Sequence, residues 1–170
     1  MLNIQRRSTP HTSEGLASLD PIIARLYAGR GIQSQEQIKR SAGELLPLSS
    51  MKGVPAACEI LYDLLLRQAH ITIVGDFDAD GATSTALMVL GLRKLGFSRV
   101  DYKVPNRFDY GYGLSPQLAE EIVQTGTDAI ITVDNGISCL PGVALAKDAG
   151  LKVIITDHHL PGHTLPNADA

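Results

Sequence analysis

Three apolar runs that each end in an aspartate constrain this chain more than any other feature. They are Ile71-Thr72-Ile73-Val74-Gly75-Asp76, Ile130-Ile131-Thr132-Val133-Asp134 and Val153-Ile154-Ile155-Thr156-Asp157. Short continuous apolar runs bounded by turn residues read as strands buried on both faces. The predicted strands span Ile71–Asp76, Asp101–Val104, Asp128–Val133 and Lys152–Thr156. Helical segments alternate with them: Ala82–Leu95 stopped by Gly96, Ser115-Pro116 opening a helix to about Gln124, and Pro141–Ala149 closed by Gly150. The alternation predicts an α/β, Rossmann-like fold of right-handed βαβ units, with a mostly parallel sheet and helices on both faces. Open sheets of this kind bind ligands beyond the carboxyl ends of their strands. All three runs deliver an aspartate to that edge, although packing does not require one there.

The first run continues as Asp76-Phe77-Asp78-Ala79-Asp80-Gly81, with carboxylates at every second position. Three carboxylates this close repel one another unless a cation neutralises them, and an all-oxygen cluster suits a hard divalent ion. A calcium loop of the EF-hand type requires a bidentate Glu at its twelfth position. Counted from Asp76 that position is Leu87, and the incoming segment is a strand rather than a helix. A solvated acidic turn with Asp80 as the helix N-cap would use one aspartate and leave two without a role.

Asp157-His158-His159 follows the last run directly, and imidazole is a good ligand for Mn²⁺ and other transition metals. A second histidine, when protonated, donates to a phosphate oxygen. Asp134-Asn135-Gly136 reads either as a plain Asn-Gly turn or as the place where Asp134 bridges two metals. Asn106-Arg107 offers a planar donor fork suited to a phosphoryl group. His11, His70 and His163 have no such company and are expected at the surface. No Walker or Rossmann glycine pattern is present, and a D-x-D phosphotransferase lacks its usual Thr or Val at Asp80 or Ala82.

The first third differs. A polar lead-in over residues 1–19 precedes Asp20-Pro21, an N-cap and first helical residue for a helix to about Ala28. Ser34 opens another helix towards Leu45, and Pro55 to Gln68 a stronger one with an apolar stripe. We therefore expect a helical N-terminal extension over residues 1–54 and an α/β domain over 55–170. Residues 1–53 carry seven Lys/Arg against four acids, whereas the remainder has eight basic and fourteen acidic residues. An acidic site repels a polyanion unless metal reverses its sign. No apolar run reaches the length of a membrane span, no signal-peptide core opens the chain, and Cys58 and Cys139 form no disulfide framework. The expected location is cytoplasmic, with no membrane partner.

Taken together, Gly75–Gly81, Val104-Pro105-Asn106-Arg107, Val133–Gly136 and Asp157-His158-His159 resemble the opening motifs of the DHH phosphoesterases. Within that family the likeness is strongest to the exonucleases that digest single-stranded DNA from its 5′ end in repair and recombination. The resemblance implies a two-metal site, Mn²⁺ or Mg²⁺, that hydrolyses phosphodiesters with an activated water. Asp78 would bind one metal, Asp80 and His158 the other, and Asp134 would bridge them. Asp76 would be a ligand or a close neighbour of one, Asp157 a support for the histidines, and His159 a phosphate contact. Asn106, Arg107 and Asn135 would hold the substrate phosphate. Single-stranded DNA is the implied partner, with a single-strand-binding protein or a helicase alongside. The family adds a metal-binding Asp on a later strand and a cleft-closing domain. Neither is found before Ala170, so the domain is expected to be truncated and the 170 residues alone to be a poor nuclease. The alternatives are a DHH phosphodiesterase of short oligonucleotides or cyclic dinucleotides, and a non-catalytic module of the same fold that binds nucleic acid or protein. The intact aspartate set disfavours the non-catalytic module.

Overall fold

The computed structural model describes Gln5, Ser8 and residues 11–170. The chain forms two compact units, Met1–Ser50 and Met51–Ala170. Arg6, Arg7 and most of the first ten residues of the polar lead-in lie outside the described residues. In the first unit, α1 (Pro21–Ala28) starts where Asp20 accepts hydrogen bonds from the backbone N–H groups of Ile22 and Ile23. Its Ala24 and Ala28 pack on Leu16, which is buried in a 3₁₀ turn, Glu14–Leu16. The helix expected from Ser34 towards Leu45 is instead two 3₁₀ turns, Gln35–Ile38 and Ala42–Glu44, separated by extended backbone at Lys39. Neither turn buries a residue, so no apolar face stabilises a longer helix.

The second unit is an α/β domain. Its elements are α2 (Val54–Leu66), β1 (Ile71–Val74), α3 (Ala79–Lys94), β2 (Val100–Lys103), the single turn α4 (Arg107–Tyr110), α5 (Pro116–Gln124), β3 (Ala129–Val133), α6 (Leu140–Asp148) and β4 (Lys152–Thr156). The four strands form one parallel sheet in the order β2-β1-β3-β4. Side chains alternate across it, and both faces are covered. Ile71, Ile73, Ile131 and Val133 pack against Leu64 of α2 and Val89 and Leu92 of α3. Val74, Ile130 and Val153 pack against Leu118 and Ile122 of α5 and Val143 and Ala146 of α6. The helix α3 is apolar beyond what the sheet covers: Leu87 and Leu90, and Leu95 at its C-cap, face solvent.

Two details differ from the sequence-based expectation, and the first shapes the site. β1 ends at Val74, and α3 begins at Ala79 with Asp78, not Asp80, as N-cap, its Oδ1 accepting from Gly81 N–H at 3.2 Å. The early start is allowed by two glycines. A Cβ on Gly75 would lie 2.0 Å from Thr85 Oγ1, and one on Gly81 would lie 2.5 Å from the Asp76 carbonyl oxygen. The first turn of α3 therefore packs directly on the backbone that follows β1. His70, expected at the surface, is buried, with Nε2 2.7 Å from Asp101 Oδ2. It precedes β1, which lies between β2 and β3, so flanking strands enclose it.

Candidate metal centre

The chain leaves β1 for β2 on one side and crosses to β3 on the other, so β1 and β3 flank the point where strand order reverses. Loops diverge there and leave a crevice at the carboxyl ends. The pairing of Val74 with Thr132, continued two residues, brings Asp76 level with Asp134, and that of Val133 with Thr156 continues to Asp157. The parallel register thus gathers the strand-end carboxylates.

Two donor groups result, each with ligand atoms within 4.8 Å of one another: Asp76, Asp78 and Asp134, and Asp134, His158 and His159. Asp134 belongs to both. His158 Nε2 lies 2.9 Å from Asp134 Oδ1 and 3.8 Å from Asp80 Oδ2, which attaches Asp80 to the second group. Asp134 is buried and takes a left-handed backbone conformation, φ 60°. Aspartate tolerates that region better than most residues, and such conformations collect at functional sites. Burial raises the Asp134 pKa, the hydrogen bond from His158 opposes the rise, and the charges of Asp80 and Asp78 add to it. This is a carboxylate whose surroundings call for a cation; the all-oxygen group fits Mn²⁺ or Mg²⁺, and the group with imidazole donors suits Mn²⁺ better than Mg²⁺.

Asp157 orients His159. Its Oδ1 accepts from His159 N–H at 3.0 Å and lies 2.7 Å from His159 Nδ1, while Oδ2 accepts from Ile137 N–H at 2.9 Å. Burial alone would raise the Asp157 pKa, but these hydrogen bonds outweigh it and the carboxyl titrates below its ordinary value. The hydrogen bond to Asp157 in turn raises the pKa of His159.

The residues expected at the phosphate are placed differently from one another. Arg107 donates to Asp76 Oδ2 at 2.5 Å. Its guanidinium carbon stands 4.1 Å from the Phe77 ring centroid and 5.1 Å from that of Tyr112. Asn106 caps α4, accepting from Phe108 N–H and donating to Asp109. Asn135 is fully buried and donates to the carbonyls of Val74 and Val133, both at 2.9 Å, so it clasps the ends of β1 and β3. The Asn-Gly dipeptide signals the turn but not that clasp, which depends on β1 lying next to β3. Tyr112 was not among the expected site residues. Its hydroxyl donates to the Asp134 carbonyl at 3.0 Å and lies 3.3 Å from His159 Nδ1, and burial pushes its pKa up to about 12. Only its place in a glycine-rich loop after the second strand hinted at this. A cavity of about 270 Å³ lies elsewhere, beside Arg93, Asp101, Lys103 and Thr125; with one carboxylate and no histidine it lacks the donor chemistry of the strand ends.

Comparison with known proteins finds relatives of this chain. The family described as "DHH family, N-terminal domain" matches residues 70–170. The chain is 52% identical over 167 residues to the single-stranded-DNA-specific exonuclease RecJ of Salmonella typhimurium, covering 98% of this chain and 29% of that protein. It thus spans less than a third of that relative. A crystal structure of exonuclease RecJ bound to manganese superposes with a TM-score of 0.65 at 37% identity, covering 72% of this chain and 31% of the other. RecJ from Thermus thermophilus in complex with Mn²⁺ gives a TM-score of 0.63 at 32% identity over 91% of this chain and 22% of the other.

Proposed function

The chain belongs to the DHH family, and from that footing we propose that its strand-end site holds two divalent cations, Mn²⁺ or Mg²⁺, and hydrolyses the phosphodiester bonds of single-stranded DNA from the 5′ end. The observation that carries the proposal is the pair of donor groups sharing Asp134. Asp78 and Asp134, with Asp76 beside them, would hold one ion; Asp80, His158 and the same Asp134 would hold the other. When bound, such a pair supplies an activated water and neutralises charge on the attacking and leaving oxygens.

The chain's own residues do the rest. Asp157 fixes His159 through Nδ1 and keeps it protonated to higher pH, which suits Nε2–H for donation to a phosphate oxygen. Arg107 uses one N–H on Asp76, and its other donors suit a phosphoryl group. The substrate reading draws support from the relatives, which are named as single-stranded-DNA-specific exonucleases. An accompanying single-strand-binding protein or helicase, and a cytoplasmic setting, belong to the same proposal. No helix among the described residues is long and apolar enough to cross a membrane.

The test uses this chain grafted in place of the matching segment of the Salmonella relative. Calorimetry should count two Mn²⁺ per molecule, and 5′-labelled single-stranded DNA should be digested while Asp134→Asn in the graft abolishes digestion. A graft that binds Mn²⁺ but leaves single-stranded DNA intact would overturn the substrate, and one that binds none would overturn the site.

A further inference from the structure

Aromatic residues are scarce in this chain, five Tyr and three Phe with no Trp, a composition that argues against a base-stacking platform. Their placement argues for one. Phe77, Phe108 and Tyr112 are 57%, 98% and 39% exposed, and all three sit in the segments that leave the carboxyl ends of β1 and β2. Isolated exposed aromatics are ordinary. Phe77 and Tyr112, however, are organised around a cation, Arg107, that is itself tied to the carboxylates.

Phe77 lies between Asp76 and Asp78, so its backbone is fixed by the residues that point into the metal centre. Its N–H donates to Asp76 Oδ1 at 2.8 Å, and Asp78 caps α3. Arg107 covers one face of the Phe77 ring while gripping Asp76, and Tyr112 flanks the same guanidinium. Tyr112 is held in turn by the Asp134 carbonyl and meets His159 edge-on, with ring centroids 5.9 Å apart. The aromatic group is thus built onto the donor set from both sides. A ring so fixed loses little freedom when a second flat group stacks on it, and the guanidinium behind it polarises the stack.

We propose that Phe77, backed by Arg107, is a stacking platform for a nucleobase of the substrate strand, next to the carboxylates that would face its phosphate. The inference rests on the phosphodiesterase reading of that site and deepens it. Every base presents a π-face, so stacking of this kind is tolerant of sequence. Bases inside a duplex are already stacked on one another and are not available to the ring. The platform therefore favours a single strand over a duplex without reading any base.

2-Aminopurine absorbs to the red of tryptophan and tyrosine, so in an oligonucleotide it can be excited selectively beside the protein. The experiment uses the grafted enzyme described above, Mn²⁺, and a phosphorothioate-linked single strand carrying 2-aminopurine at successive positions from the 5′ end. One position should lose its emission on binding. Phe77→Ala should restore that emission and raise the Kd roughly tenfold, as expected for one base–aromatic stack. Phe77→Tyr should recover both. A strand abasic at the quenched position should bind wild type and Phe77→Ala alike, and Mn²⁺ affinity should be the same for both proteins. An unchanged Kd for Phe77→Ala on the normal strand would overturn the platform and leave the phosphodiesterase reading standing. An equal loss on the abasic strand would also overturn it, because the ring would then position something other than a base. Mn²⁺ binding without any DNA binding by the wild-type graft would overturn the substrate reading and the platform together.

Discussion

The two ends of the same parallel sheet use the same residue types to opposite effect. At the amino end, His70 joins three strands: its N–H donates to Asp128 Oδ2 at 2.7 Å, its Nε2 meets Asp101 Oδ2 at 2.7 Å, and its carbonyl accepts from Asp128 and Ala129. Two carboxylates meet one histidine there, each with a donor, and only the ring Nδ1 is left without a partner. At the carboxyl end, five aspartates converge. Asp157 and Asp76 are satisfied by backbone N–H groups, His159 and Arg107. Asp134 is buried with His158 as its side-chain donor, and Asp80 and Asp78 stand near it. Carboxylates in balance with donors make a clasp, whereas carboxylates in excess, Asp134 and Asp76 among them buried, make a place for cations.

The contrast is sharpest at Asp134. Asp134→Asn keeps a residue that tolerates the left-handed conformation and removes the shared charge. Mn²⁺ affinity should fall about a hundredfold, roughly 2.7 kcal/mol, since both ions lose a ligand. Without metal the same variant should be more stable than wild type at neutral pH. The raised pKa means the folded state holds its proton more tightly than the unfolded one. Ionised Asp134 therefore opposes folding above the usual carboxylate range, and the variant's advantage should vanish as acid protonates the wild type. Urea titrations at two pH values read this directly, and an advantage that persists in acid would break the account.

Asp80→Ala should weaken Mn²⁺ binding about tenfold, roughly 1.4 kcal/mol, because Asp80 would serve only one of the two ions. Unchanged Mn²⁺ binding in that variant would remove Asp80 from the ligand set. Within the histidine pair the effects should separate: His158→Ala lowers Mn²⁺ affinity roughly fivefold, while His159→Ala spares affinity and lowers turnover in the grafted enzyme. Equal affinities for the two variants would contradict the division.

At the amino end the prediction reverses. Asp128→Ala removes the acceptor of His70 N–H and should cost about 1 kcal/mol of stability with no change in Mn²⁺ binding. A metal effect from Asp128→Ala would erase the distinction between the two ends. The smallest effect belongs to Asp169, which accepts from Lys147, Lys152 and Val153 N–H. Burial opposes ionisation there, but these partners prevail and depress its pKa. Its contribution is therefore present above the unfolded value and lost as pH falls through the depressed one. Asp169→Asn should cost about half a kcal/mol at neutral pH and nothing in strong acid, as thermal melts at pH 7 and pH 2 would register.

Much of the carboxyl edge was legible in the residues alone. Apolar runs of strand length separated by helix-length segments are a local signal, and it determined the α/β class, the two covered faces and the delivery of Asp76, Asp134 and Asp157 to one edge. Alternate spacing likewise marked Asp78 and Asp80. What local pattern does not carry is which loops become neighbours, because that follows from the strand order β2-β1-β3-β4 and its register. Only the tertiary structure placed Arg107 on Asp76 and between Phe77 and Tyr112, and only it spent Asn135 on the ends of β1 and β3. The same reason governs His70. The apolar run after it signals a buried strand but not a buried histidine, and it is buried because the chain returns twice to lay β2 and β3 against β1, bringing Asp101 and Asp128 from distant positions to meet it.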